Sequence, residues 1–337
     1  MAFSADDLAQ VRFAVSPMWE VAPSFRLLAS DAAHPIHRPW IEQARPRVLA
    51  AGLHRGWLAE LIGPSGYVPD FLTPAPDRPA PAPAAEWAAI LASSPGRVRH
   101  DLDHLARHQG HLGPRLSRLR ADPSARLAGL TQEIETYWEL ALAPYWGRIR
   151  AVLDADIFHR ARTVAEHGTG RLFNDLHSSI SWDDSTLNLV RRKQITPRHR
   201  TGAGLLLIPS AFTGPGLRTQ VSPPDPPQLA YPARGTGALW ETRTPTGAQA
   251  LAPVLGRSRA LLLAELATPA STTELAHRTG LSPAGVSQNL TALRDAGLVS
   301  AHRAGRSVLY ARTAAAETLL DAASLTGSAS RRAGRPE

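Results

Sequence analysis

Residues 271–312 read S-T-T-E-L-A-H-R-T-G-L-S-P-A-G-V-S-Q-N-L-T-A-L-R-D-A-G-L-V-S-A-H-R-A-G-R-S-V-L-Y-A-R. The order of caps, stripes and breakers in this stretch predicts two helices joined by a sharp turn and followed by a β-hairpin. Ser271 is an N-cap, and Glu274 three residues on completes a capping box. Leu275 and Ala276 face inward, Gly280 stands where a left-handed residue ends the helix, and Leu281 plugs the turn. Ser282 caps the second helix, with Pro283 at the first helical position, where a missing N–H costs nothing. Val286, Leu290 and Leu293 fall at i, i+4 and i+7 and give that helix one packing stripe. Its opposite face is short and polar: Ser287, Gln288 and Thr291, with Ala284 near the exposed first turn. Such side chains let a helix approach base edges in the major groove. Segment 283–296 therefore reads as a recognition helix, and Thr272, Thr273, Ser282, Pro283, Asn289 and Arg294 complete the residues expected against DNA on this half of the motif.

After Gly297 the period changes to that of strands. Leu298 and Val299, the polar tip His302-Arg303-Ala304-Gly305-Arg306, then Val308, Leu309 and Tyr310 form a hairpin over 298–312, with Gly305 free to take a positive φ. His302, Arg303 and Arg306 on this wing are expected at phosphates or in a narrow minor groove. Charge is concentrated here: between Arg257 and Arg312 seven Arg stand against Glu265, Glu274 and Asp295, a balance of 7 − 3 = +4. The last residues, 327–337, read as a disordered basic tail that adds nonspecific phosphate attraction.

The segment from about Leu255 to Arg312 resembles the winged-helix domain of ArsR/SmtB-type bacterial transcriptional regulators. The likeness is carried by L-G-R-S-R from Leu255, S-T-T-E-L-A from Ser271, G-L-S-P from Gly280, V-S-Q-N-L from Val286, L-R-D-A-G-L-V from Leu293 and G-R-S-V-L-Y from Gly305. Where the family pattern carries His before the Leu of the recognition helix, this chain has Asn289, which can also donate and accept at a base edge. The resemblance implies a DNA-binding dimer, paired through the helix around 251–267 and the final helix from Ala314. Leu255, Leu261, Leu262, Leu266, Leu319 and Leu320 supply its apolar surface. Metal-sensing members carry Cys pairs on the first helix of the motif; the sequence has no Cys, which excludes a thiolate sensor.

The larger part, residues 1–245, reads as an α+β domain, mostly helical with a small sheet, set ahead of a winged helix-turn-helix at 246–326. A strand opens it at Val11–Val15, and Trp19, Trp40 and Trp57 are candidate core anchors. A Pro/Ala run from Thr73 is an exposed loop. Helical spacing is clearest over 125–164, where Pro144 divides the pattern into two helices. From Leu172 the period becomes two, with a turn at Asp183–Ser185, and 204–209 and 228–231 read as further strands. The motifs D-I-F-H-R-A-R at Asp156 and Y-P-A-R-G-T-G-A-L-W at Tyr231, with W-E at Trp19 and Y-W-E-L at Tyr137, resemble an uncharacterised domain found ahead of ArsR-like domains in actinobacteria. That likeness implies architecture and brings no ligand or activity.

Chemistry outside the winged helix is sparse. Asp101, His104, His108 and His111 would share one side of a helix, a spacing that suits a metal or simply a polar surface. Asp175, His177, Asp183 and Asp184 cluster at the hairpin and read as turn residues sooner than as acid/base groups. Tyr137, Trp138, Tyr145 and Trp146 could line an effector pocket, although core packing is the simpler use. No nucleophile elbow, phosphate-cradling loop or zincin helix is present, so no enzyme, cofactor or bound metal is expected. With 337 residues, 43% apolar content, a net charge of +8 and a pI near 10.7, the chain suits a polyanion partner. It shows neither an apolar run long enough for a bilayer nor a basic-then-apolar leader, so a cytoplasmic protein without a membrane partner is expected. Expected partners are double-stranded operator DNA, a second copy of the chain, and a small-molecule effector at residues 1–245. The competing reading is a winged-helix interaction or architectural module whose N-terminal domain carries an unrecognised catalytic or metal site.

Overall fold

Strands Val11–Phe13 (β1), Ile180–Asp183 (β2), Thr186–Leu189 (β3), Leu205–Ser210 (β4), Arg218–Gln220 (β5) and Gln228–Pro232 (β6) build the sheets of the first of two compact units. In the computed structural model, which describes residues 5–32, 34–63, 66–183, 186–189, 204–240, 246–304 and 307–332, this unit gathers 1–34, 52–135 and 152–236. β1 runs parallel to β4 and β4 parallel to β6, while β5 closes antiparallel on β6. Every residue of β4 is buried, as an apolar run such as Leu205–Ile208 requires of a strand covered on both faces. β2 and β3 form the expected hairpin, Ile180 pairing with Leu189; its turn residues Asp184 and Ser185 lie outside the described residues. The helix before it runs on to Leu176, so the extended segment begins later than the change of period at Leu172 suggests.

The two sequence motifs that resemble the uncharacterised domain meet in this unit. Asp156 and Arg160, one helical turn apart, form an ion pair at 2.9 Å that is almost wholly buried. Asp156 also accepts from the Tyr231 hydroxyl at 2.8 Å and from the Arg234 amide at 3.0 Å, and the Arg160 guanidinium lies 4.6 Å above the Tyr231 ring. A buried carboxylate needs this many donors to offset its lost hydration, and the arrangement ties a long helix to the end of β6.

The second unit gathers 35–51, 136–151 and 237–337, so the grouping is by contact and not by chain order. Its C-terminal part runs through helices Thr246–Leu255, Arg257–Glu265, Thr272–Thr279 and Pro283–Asp295, the hairpin Val299–Ala304 (β7) and Ser307–Arg312 (β8), and helix Ala314–Arg332. This is a winged helix-turn-helix, and the chain as a whole is α+β. Leu262, Leu263, Leu266, Leu275, Val286, Leu290 and Leu293 form its core. The final helix reaches Arg332, across the start of the 327–337 stretch read as a tail, because Leu319, Leu320 and Ala323 anchor it on the helix Thr246–Leu255 and helix formation propagates cheaply once nucleated. Residues 333–337 lie outside the described ones. Among the described residues no helix is long and apolar enough to cross a membrane.

Earlier segments complete this unit. Pro144 ends the preceding helix, as its missing N–H demands, but through a π-turn at Trp138–Leu142 and a 3-10 turn at Ala143–Tyr145. Trp40, fully buried, donates its indole N–H to Ala141 O at 2.7 Å, and Trp240 stacks on it with centroids 6.3 Å apart. Tyr137, Trp138 and Tyr145 are buried, so these aromatic residues serve packing.

Candidate nucleic-acid interface

The motif forms from its caps. Ser271 N donates to Glu274 Oε2 at 2.7 Å while Glu274 N donates to Ser271 Oγ at 3.3 Å. The bond accepted from the Ser271 N–H is the largest cause holding the Glu274 carboxyl below its usual range. Gly280 ends the helix at φ 71°, a left-handed conformation that favours glycine. Ser282 Oγ then accepts from Gly285 N at 3.1 Å, and Pro283 takes the first position.

With Val286, Leu290 and Leu293 buried, Ser282, Pro283, Ala284, Ser287, Gln288, Thr291 and Arg294 are all exposed on the helix Pro283–Asp295. Thr273 is exposed and Thr272 half-buried on the helix before it. Asn289 departs in part from its expected role: it is half-buried and one of its two Nδ2 N–H groups donates to Gly285 O at 2.8 Å, tying the side chain to the helix one turn back.

On the wing, Arg303 is exposed, whereas Gly305 and Arg306 lie outside the described residues. His302 also departs from expectation. Strand alternation turns it away from Arg303, its Nε2 lies 2.8 Å from Ser300 Oγ, and its Nδ1 lies 3.6 Å from Glu139 Oε2. Arg312, counted above in the local positive charge, is buried. It donates from Nε to Leu263 O at 2.6 Å and from Nη2 to Ala264 O at 2.8 Å, and Nη1 meets Glu317 Oε2 at 3.4 Å. It thus caps the last carbonyls of helix Arg257–Glu265 and is unavailable to a phosphate. Arg257, Arg259, Arg278 and Arg294 remain exposed with Arg303.

The apolar residues assigned to pairing are largely spent within the unit. Leu262 and Leu266 belong to the core, and Leu255, Leu319 and Leu320 pack around Ala248 and Leu251. Leu261 is 40% exposed and Val254, not singled out in the sequence, 81%.

The polar clusters of the first unit are tied up structurally. Asp101 is buried and accepts from Phe71 N at 2.8 Å; burial lifts its carboxyl to about 6. His104 and His108 stack at 4.6 Å, Tyr67 lying on His104 at 4.4 Å. Gly110 ends that helix at φ 85°, which takes His111 off it. Among the described residues no group of three or more His, Cys, Asp or Glu could hold a metal ion. His177 accepts at Nδ1 from Ser179 N and so donates from Nε2 to Pro215 O at 2.7 Å. Asp175 pairs with Arg171 at 2.7 Å, and Asp183 accepts from Asn188 at 2.9 Å.

Sequence reasoning missed the groups that hold the wing from behind. Arg148 Nη1 donates to Ala267 O at 3.0 Å. A Cβ on Gly147 would overlap Arg312 O and lie 2.8 Å from Thr313 C. Neither has a local signal, since both depend on contacts more than a hundred residues away.

A capped helix-turn-helix with an exposed polar helix face and a basic hairpin defines a winged-helix DNA-binding protein. Residues 258–301 match the model of the bacterial regulatory protein, arsR family, and residues 83–237 match a family of unknown function, DUF5937. The chain joins these two domains, and its arsR-family part makes it a DNA-binding transcriptional regulator. No curated protein and no solved structure matches the chain.

Proposed function

We propose that the protein is a dimeric, cytoplasmic repressor of the ArsR-like type. Segment 283–296 enters the major groove of operator DNA and wing 298–312 lies on the backbone and minor groove. The single observation that carries this is the helix Pro283–Asp295: its apolar stripe is buried while Ser287, Gln288, Thr291 and Arg294 face outward together, the division a groove-reading helix needs. Pairing is argued from information content. One winged helix reads too few base pairs to select a site in a genome, and two recognition helices about 34 Å apart read two half-sites on one duplex face. Val254 and Leu261 are exposed apolar residues that such an interface could cover. On this reading residues 1–245 sense a small-molecule effector or brace the dimer and do not catalyse, 246–326 bind DNA, and no cofactor takes part.

A gel shift on the DNA upstream of the protein's own reading frame tests the proposal. Arg303→Ala is expected to weaken binding across all sequences and to reduce the salt slope by about 0.9 per lost phosphate contact. Gln288→Ala is expected to relax sequence choice, by about 1–3 kcal/mol per half-site if it reads adenine. Equal behaviour of the two variants would refute the division between helix and wing, and absence of any shifted complex would refute the proposal.

A further inference from the structure

A wing that projects from a winged helix packs one face on its own domain and leaves the other to solvent. In this protein the second face is covered. At the base of the hairpin, Val299, Tyr310 and Arg312 face the winged-helix core and the helix Arg257–Glu265. The opposite face carries Ser300, His302, Leu309 and Ala311, since β7 and β8 pair Ser300 with Ala311 and His302 with Leu309. Leu309 is 5% exposed and Ala311 2%, and what lies over them is the turn Trp138–Tyr145: β7 packs on Trp138–Leu142 and both strands pack on Ala143–Tyr145.

We propose that this turn, far from the winged helix in sequence, positions the wing for DNA, and that Glu139 and Gly147 are positioning residues for the phosphate contact of Arg303. The inference rests on the DNA-binding reading above. Strand geometry supplies the link. Successive side chains of a strand point to opposite faces, so holding His302 toward Glu139 Oε2 and Ser300 turns Arg303 to the face away from the turn, where, close to the tip of the hairpin, it is exposed. Two further contacts hold the segment around the turn on the winged helix. The closeness of Gly147 to Arg312 O and Thr313 leaves no room for a side chain, and Arg148 fastens the same turn of helix to Ala267 O. The support is itself fixed, because the Ala141 carbonyl in the π-turn is held by the buried Trp40 indole. A wing set in advance loses less conformational freedom on binding than a mobile one, and so binds more tightly with the same contacts.

The test uses the full chain and a mixed-sequence duplex of about 40 base pairs, on which phosphate contacts dominate binding. The readout is the slope of log affinity against log salt for wild type, Arg303→Ala, Gly147→Ala, Glu139→Ala, Glu139→Gln and the double variant Gly147→Ala/Arg303→Ala. Gly147→Ala is expected to lower the slope to the Arg303→Ala value, with no further loss in the double variant. Glu139→Ala is expected to fall between wild type and Arg303→Ala, and Glu139→Gln, which keeps the length and bulk of the side chain beside His302, to recover the wild-type slope. A role in stability alone would lower the melting temperature and leave the slope unchanged. Wild-type slopes in Gly147→Ala and Glu139→Ala, with Arg303→Ala reduced, overturn the proposal while the DNA-binding reading stands. If Gly147→Ala does not fold by circular dichroism, Glu139→Ala, altered at a side chain 42% exposed, decides alone. An Arg303→Ala slope equal to wild type refutes the wing contact itself and this proposal with it.

Discussion

At the scale of single residues, the same amino acid serves opposite ends according to what surrounds it. Arg303 is exposed at the wing while Arg312, on the paired strand, is spent on three groups inside the protein; nothing local in the sequence separates them. Buried carboxylates were likewise invisible in the sequence. Glu86 is 3% exposed, accepts from Met18 N at 2.8 Å, and is pushed up by burial to about 7. Glu20, fully buried beneath Ser210, Ala211 and Phe212, is pushed up by burial to about 7 as well. With folded values raised above the unfolded 4.5, the native state binds the extra proton, so stability is greatest below about pH 4.5 with respect to these groups. It is lost as pH rises through about 7 and is level beyond. Glu86→Gln is therefore expected to flatten the fall between about pH 4.5 and 7 by roughly half, Glu20 retaining the rest. It should also raise stability at pH 8 by on the order of 3 kcal/mol, since each tenfold change in proton affinity is worth about 1.4 kcal/mol. Urea titrations across that range check it, and an unchanged slope would show that Glu86 is ionised in the fold throughout.

At the scale of elements, legibility followed the range of the signal. The capping box, the left-handed Gly280, the Pro283 start and the hairpin period are each written within a few residues, and each forms as read. Strands β1, β4 and β6 were equally legible as short apolar runs, but not their parallel order, in which Val11 of β1 pairs with Leu205 of β4, far away in the chain, and β4 pairs with β6. Pro144 marked a break without revealing its form. Within that break the Trp40 indole N–H takes up the Ala141 carbonyl, a partner about a hundred residues away that no local pattern announces. Trp40→Phe keeps an aromatic ring but removes that donor and the pyrrole half of the indole, leaving a buried carbonyl unpaired at a cost of about 1–3 kcal/mol, to which the cavity left in this fully buried site adds. The denaturant midpoint of the full chain should fall accordingly, whereas an unchanged midpoint would mean that the carbonyl finds another donor.

At the scale of the whole molecule, the sequence suggests a cut between residues 245 and 246, where a Pro- and Thr-rich stretch precedes the first helix of the winged domain. Contacts distribute the chain differently: 35–51 and 136–151 belong with 237–337. Family resemblance cannot report this, since a winged helix that stands alone and one that is braced share the same caps and stripes. The brace has a measurable consequence for the segment 246–337 made by itself. It retains its own core around Leu262, Val286 and Leu290, but loses the cover over Leu309 and Ala311, the bond from Arg148 to Ala267 O and the seat for His302. Exposing apolar surface costs about 25 cal/mol per Å², and domains of this size have little stability to spare. The segment is therefore expected to melt below the winged-helix transition of the full chain, to bind an apolar dye that the full chain ignores, and to bind duplex DNA more weakly at equal salt. Equal melting with no dye binding would show that the winged helix is self-sufficient and that residues 136–151 only rest against it.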